Sequence, residues 1–278
     1  MKILVKLLCC IIPHRGLRDT LKHKYISSKS RIQKFQAAGF RVDEDTLTTP
    51  GGVRIDTSVA PYEALYITKE VFLNEEYAFH FDRESVLVDI GMNRGIASLY
   101  FAGLPAIRQI YAYEPFTPTF ALAKKNLELN PRLSAKINAF NVGLGKADAV
   151  LELPYMEHVT GGMSTTCDVC KGQKNVKTET VRVRDAAQEL APVFAANRQS
   201  HIIVKCDCEG AEFDILERLD EAGLVNNIDV LLMEYHYNDP NRLIDILTRQ
   251  GFIVRTRVLS KDMNKGYLYA VKTAPKGA

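Results

Sequence analysis

The chain has 278 residues, is 46% hydrophobic and 25% charged, and carries a formal charge of +3. That suits an ordinary soluble globular protein with one large domain, or a domain with an appendage, and no segment approaches the roughly 18–20 apolar residues needed to span a bilayer. Residues 1–41 hold ten Lys/Arg against the single acid Asp19; the remainder is therefore mildly acidic, and nothing marks it as a nucleic-acid binder.

In chain order, the first segment is this basic arm. Its uninterrupted apolar run covers only Leu7 to Ile12, and basic residues follow where a small-residue cleavage site would stand, so it is read as an uncleaved arm. Two placements fit: peripheral contact with the anionic inner face of a membrane, or a short helix packed on the body with a solvated charged face. A helix is predicted over 31–38, ahead of Gly39. Residues 42–57, with Thr49-Pro50-Gly51-Gly52, read as a turn between two short strands, and 61–80 as helical. Residues 1–80 thus form an arm and a small α/β ornament, and 81–278 the main domain.

From Ser85 onward strands and helices alternate, which predicts an α/β fold with a mostly parallel sheet covered on both faces. Strands are predicted at 85–90, 109–113, 136–142, 201–207, 228–234, 251–258 and 267–272. Helices are predicted at 94–102, 117–129, 210–219 and 239–250, the last opening on Asp239-Pro240. Asn264-Lys265-Gly266 between the last two strands predicts an antiparallel hairpin at the sheet edge. Residues 146–200 read as a long insertion holding a hairpin (149–155 with 179–183) around the polar loop 161–166, the candidate acceptor lid.

The six cysteines pair up as Cys9-Cys10, Cys167-x-x-Cys170 and Cys206-x-Cys208. Four could make a zinc site, but Cys206 and Cys208 alternate on a predicted central strand and read as buried and reduced. Cys167-x-x-Cys170 falls in a polar, glycine-containing loop, where a metal or redox role stays open; no metal is expected elsewhere, and a reducing cytoplasmic location fits all six.

The residues with chemistry gather at strand ends, where open parallel sheets bind ligands. Asp89-x-Gly91-x-Asn93-x-Gly95 is an acidic, glycine-rich turn after the first strand. Glu114, at the tip of the second, suits a ribose diol because a carboxylate accepts from both hydroxyls. A dinucleotide turn would carry Gly-x-Gly-x-x-Gly to admit a pyrophosphate. Here Asn93 takes the central position and no phosphate-binding sequence occurs, so S-adenosylmethionine, a ribose cofactor without phosphate, fits better. Lys205, Asp207 and Glu209 alternate on a face opposite the two cysteines, and Glu234 and His236 fall beside them if the fifth strand neighbours that sheet region.

Asp89-Ile90-Gly91-Met92-Asn93-Arg94-Gly95, Tyr113-Glu114-Pro115, Asn130, Lys205 to Glu212 and Met233 to His236 resemble the ordered motifs of the FkbM-type methyltransferases, over about 85–260. The resemblance implies a class I, Rossmann-like methyltransferase fold of about seven strands, with S-adenosylmethionine as cofactor. It also implies O-methylation of a sugar, polysaccharide or secondary-metabolite hydroxyl. Asp89, Gly91, Asn93, Gly95 and Glu114 would then bind the cofactor, with Asn141 at the adenine edge. His236, Glu209 and Asp207 would be catalytic, His236 being the general base by default. Met92 replaces a small residue of the family pattern, and Val183-Arg184-Asp185 replaces a more acidic Leu-Asp-Asp. Two rivals remain: a nicotinamide-dependent oxidoreductase, and a catalytically silent relative acting as a membrane-associated partner.

Overall fold

The computed structural model describes residues 32–80, 82–156, 159–166, 176–262 and 264–273. The basic arm as far as residue 31 and the cysteines Cys167 and Cys170 lie outside these residues, and with them the expectations placed on them. Residues 32–37 are helical. A three-stranded antiparallel sheet follows: β1 (Arg41–Val42), β2 (Thr46–Thr48) and β3 (Arg54–Asp56). Helix α1 (Pro61–Thr68) then widens into one π-helical turn, Lys69–Leu73.

The main domain runs β4 (Ser85–Ile90), α2 (Ile96–Ala102), β5 (Ile107–Tyr113), α3 (Thr117–Glu128), α4 (Pro131–Ser134) and β6 (Ile137–Phe140). After β7 (Gly143–Gly145) and β8 (Ala149–Tyr155) come β9 (Lys177–Asp185), α5 (Ala186–Ala196), β10 (His201–Cys206) and α6 (Glu212–Glu221). The chain ends with β11 (Val230–Tyr235), α7 (Asn241–Arg249), β12 (Phe252–Ser260) and β13 (Lys265–Lys272).

Seven of these strands form one sheet in the order β12-β13-β11-β10-β4-β5-β6. All pairs are parallel except those made by β13, which is antiparallel to both neighbours. Strand order reverses between β4 and β10, and that switch point is where a crevice opens at the carboxyl ends. This is the class I methyltransferase arrangement, and the edge hairpin falls where Asn264-Lys265-Gly266 placed it.

Alternation along β4 explains the two cores. Val86, Val88 and Ile90 pack with residues of α5, α6 and α7, while Leu87 packs with α2, α3 and the N-terminal segment. Both faces are covered, so the central strands read as continuous apolar runs. Two asparagines sew the small sheet to α3. Asn130 accepts from Arg54 N and donates to Arg54 O (2.9 and 2.6 Å), and Asn126 accepts from Asp56 N at 2.7 Å.

The 146–200 segment departs from expectation. Its hairpin forms, β8 against β9, but the residues after it are helix α5 rather than loop. Asp185 caps that helix, accepting from Ala187 N and Gln188 N, and pairs with Arg218 at 2.8 Å. The variant Val183-Arg184-Asp185 stretch is therefore a strand end and a helix cap. No helix among the described residues is long and apolar enough to cross a membrane.

Candidate active site

The switch point opens into a cavity of about 360 Å³. Its floor is the turn after β4. Gly91 sits at φ +80°, and a Cβ there would overlap the backbone carbonyl oxygen of Asp207. Hence only glycine lets the two strand ends close over each other. Asn93 takes φ +49°, a left-handed conformation uncommon outside glycine that concentrates at functional sites.

Glu114 lines the cavity from the tip of β5 and is 5% exposed. Its Oε1 accepts from Phe116 N (2.9 Å) and its Oε2 from Asn93 N (3.0 Å), leaving a further lone pair on each oxygen. Burial pushes its pKa up to about 7 against those two N–H donors, with Lys205 lowering it and Asp89 raising it. Ile90, Phe116 and Leu144 make the neighbouring wall apolar. A carboxylate for a diol, an apolar slot for a purine and an acidic far end for a cationic group are what an S-adenosylmethionine site needs.

That far end holds more charge than the motifs revealed. Asp207, Glu209 and Glu234 line it, together with Glu63, Glu70, Lys205 and Lys265. Burial raises Glu70 and Glu209 each to about 7, and raises Asp207 with Glu234 beside it. Glu234 goes the other way: burial opposes ionisation, but His236 and Lys265 hold it near 2. Tyr77 donates to Asp207 Oδ2 at 2.9 Å and fixes that carboxylate.

Lys205 and Asp89 are register partners on adjacent strands, 3.1 Å apart and fully enclosed. Lys205 also donates to the Gly91 carbonyl at 2.6 Å, and Ser98 Oγ donates to Asp89 Oδ2 at 2.5 Å. Strands β10 and β4 are thereby locked beneath the turn.

The residues expected to bind cofactor therefore divide. Gly91, Asn93 and Glu114 line the cavity; Asp89, Gly95 and Asn141 do not. Asp89 supports the turn from below, Gly95 starts α2 at φ +74°, and Asn141 is exposed and donates to the carbonyls of Glu114 and Pro115. Met92 is buried in the cavity wall.

Asp207 and Glu209 do face the cavity with Lys205, but so does Cys208. The strand ends at Cys206 and Glu209 turns left-handed at φ +51°, so the period of two stops there. His236 stands behind the acidic wall, enclosed and outside the lining. Its Nδ1 is 3.1 Å from Glu212, and its Nε2 is 3.6 Å from both Glu209 and Glu234. Burial opposes its charge, yet Glu212, Glu234, Asp207 and Glu209 hold its pKa up at about 11.

Sequence reading overlooked the wall given by the N-terminal segment: Glu63, Tyr66, Glu70 and Tyr77. A π-helical turn at Lys69–Leu73 aims part of it, a distortion frequent at functional sites. Glu63 also clasps the roof. It accepts from Gly161 N at 2.7 Å and lies 3.0 Å from Thr160 Oγ1, which is 3.1 Å from Asn93 Oδ1. Ser164 Oγ donates to the Glu209 carbonyl at 2.5 Å, tying the other end of the roof to the acidic turn.

A model of the methyltransferase FkbM domain matches residues 89–254, more than half of the chain. Methyltransferase 1 of Beauveria bassiana (strain ARSEF 2860) is 28% identical over 195 residues, covering 63% of this chain and 76% of that protein. Methyltransferase sdnD of Sordaria araneosa is 28% identical over 198 residues, covering 62% and 76%. A solved FkbM methyltransferase from Methylobacillus flagellatus KT aligns at 15% identity over 76% of this chain and 52% of that one, with a TM-score of 0.46. The family match sets aside the nicotinamide oxidoreductase that a strand, turn and acid also admit. The chain belongs to the FkbM methyltransferases and takes S-adenosylmethionine as its cofactor.

Proposed function

We propose that the acceptor is a hydroxyl of a small polar molecule, a sugar or a secondary metabolite. The observation that carries this reading is the acidic wall itself. Asp207 and Glu209 face the cavity directly beyond the cofactor turn, where they can orient a hydroxyl and take its proton. S-adenosylmethionine supplies a methyl group on a sulfonium. Transfer would exchange that S–C bond for a C–O bond, and Glu209, which lines the cavity, would take the hydroxyl proton. His236 serves from behind, fixing Glu209 and Glu234.

The test is methyl transfer from labelled S-adenosylmethionine to a panel of sugars, nucleotide sugars, polyols and primary amines, with the product linkage read by mass spectrometry. Methyl ethers are expected, and Glu209→Gln is expected to lower kcat by roughly 10²–10⁴-fold, the usual weight of a general base. Methyl found on nitrogen, or turnover unchanged in Glu209→Gln, would overturn the reading.

The environment of Glu114 makes cofactor affinity pH-dependent. Both oxygens accept from backbone N–H groups, so the binding-ready form is the carboxylate. With a pKa of about 7 in the free protein, its ionised fraction falls as pH drops from 8 to 6. Affinity for S-adenosylhomocysteine is expected to weaken by up to about tenfold over that range, in proportion to the competent fraction. Lys205 and Asp89 are the charged groups that tune it, and Glu70 and Glu209 titrate nearby. The part owed to Glu114 is what calorimetry finds missing in Glu114→Gln, which should bind more weakly with a flatter pH profile.

A further inference from the structure

We propose that Asp207, Glu209 and His236 form a binding site for a divalent first-row cation at the acceptor end of the cavity. Each offers one donor atom, and the three atoms lie within 4.8 Å of one another. They come from the tips of two adjacent parallel strands, β10 and β11, so the sheet register sets their spacing.

His236 carries the argument. Its side chain is 2% exposed, and Nε2 has no hydrogen-bond partner. A buried ring nitrogen left this way costs free energy unless something occupies the position. Its other nitrogen faces Glu212 Oε1, and Glu212 is itself fixed by Cys208 N (2.8 Å) and Gly210 N (2.9 Å). A carboxylate held by two backbone donors and receiving Nδ1–H is the arrangement that orients a metal-binding imidazole and raises its basicity. It leaves Nε2 3.6 Å from both Glu209 Oε2 and Glu234 Oε1. That is too long for a hydrogen bond. Neighbouring ligands that each sit ~2.1 Å from one octahedral cation stand about 3.0 Å apart, so Nε2 and Glu209 Oε2 close by roughly 0.6 Å on binding.

One imidazole and two carboxylates suit a cation such as Mn²⁺ better than a thiophilic ion. Without a cation, the surrounding carboxylates favour a second proton on Nε2, and the cation competes for that position. Asp207 and Glu209 border the cavity, so the remaining coordination positions open toward the acceptor, as in sites that bind a reacting oxygen. That use rests on the hydroxyl-acceptor reading above; cation binding does not.

The experiment is calorimetry of the full chain, stripped with chelator, titrated with MnCl₂ alone, with free Mn²⁺ counted by electron paramagnetic resonance. One equivalent is expected to bind. Glu209→Gln should weaken it by at least about tenfold, and Glu212→Gln, which keeps every donor but frees the imidazole, by about 10–100-fold. Retained binding of S-adenosylhomocysteine shows that each variant is folded. No stoichiometric Mn²⁺ binding, or equal binding in Glu209→Gln, would overturn the site. O-methylation that persists in excess chelator, with no cation bound, removes the cation and leaves the acceptor reading standing. Mn²⁺ binding with methyl found on nitrogen does the reverse.

Discussion

Gly91→Ala is expected to lower turnover by at least about 10²-fold and to lower unfolding free energy by about 3 kcal/mol or more. Two penalties coincide at this position. A left-handed φ of +80° strains any residue with a Cβ, and the Cβ itself would overlap the Asp207 carbonyl. Relief would require the ends of β4 and β10 to part, and that movement would shift both the cofactor turn and the acidic wall. Displacements of about 1 Å in such a site cost on the order of 10²-fold in rate. Urea denaturation and calorimetry with S-adenosylhomocysteine check both halves. A variant with wild-type stability and affinity would show that the close approach of these strand ends is dispensable.

Lys205→Met is expected to cost about 3–5 kcal/mol, the usual penalty for leaving one member of a buried ion pair alone. Lys205 and Asp89 are enclosed together, and the lysine also supplies the donor for the Gly91 carbonyl. Burial by itself would lower the lysine's pKa, but Asp89 and Asp207 raise it instead, so it is held charged. Removing the charge of Asp89 as well should return much of the loss. The double variant Asp89→Asn/Lys205→Met is expected to be more stable than Lys205→Met alone. The coupling is read from a double-mutant cycle in urea. A coupling near zero would mean that the two charges act independently.

These residues also show how far the sequence could be read. Period-two and helical patterning, with the caps at Asp239 and the turn at Asn264, place the strands of the main sheet and the antiparallel edge. Buried central strands announce themselves as apolar runs. Helix α5 was legible in principle, through the Asp185 cap and the alanines after it, but Pro192 inside the helix hides the pattern. At the site, Gly91, Asn93, Glu114, Asp207 and Glu209 stand on local signals, because a turn or strand tip fixes where they point. Asp89 and Asn141 carry the same local signals yet face away from the cavity, since a strand tip has two sides and one-dimensional patterning does not choose between them.

The wall given by Glu63, Tyr66, Glu70 and Tyr77 was beyond such reading. Its position depends on Asn126 and Asn130 docking a distant segment, and on a π-helical turn that has no strong compositional mark. His236 shows a further limit. The residue type suggests a base, but four carboxylates around it decide its charge, and those come from the turn after β10 and from β11 and α6.

The Glu63 clasp joins two distant stretches of chain into one wall of the cavity. The roof over the acidic wall belongs to neither the N-terminal segment nor the insertion alone. One brings the carboxylate and the other the backbone amide and hydroxyl it grips, 98 and 97 residues apart in the chain. The shape of the cavity's acidic end is thus a joint property of two stretches, one of which precedes the residues 89–254 that the family model matches. Removing either partner alone leaves the other's polar groups ungripped, so the two stretches are energetically coupled although they lie far apart in the chain.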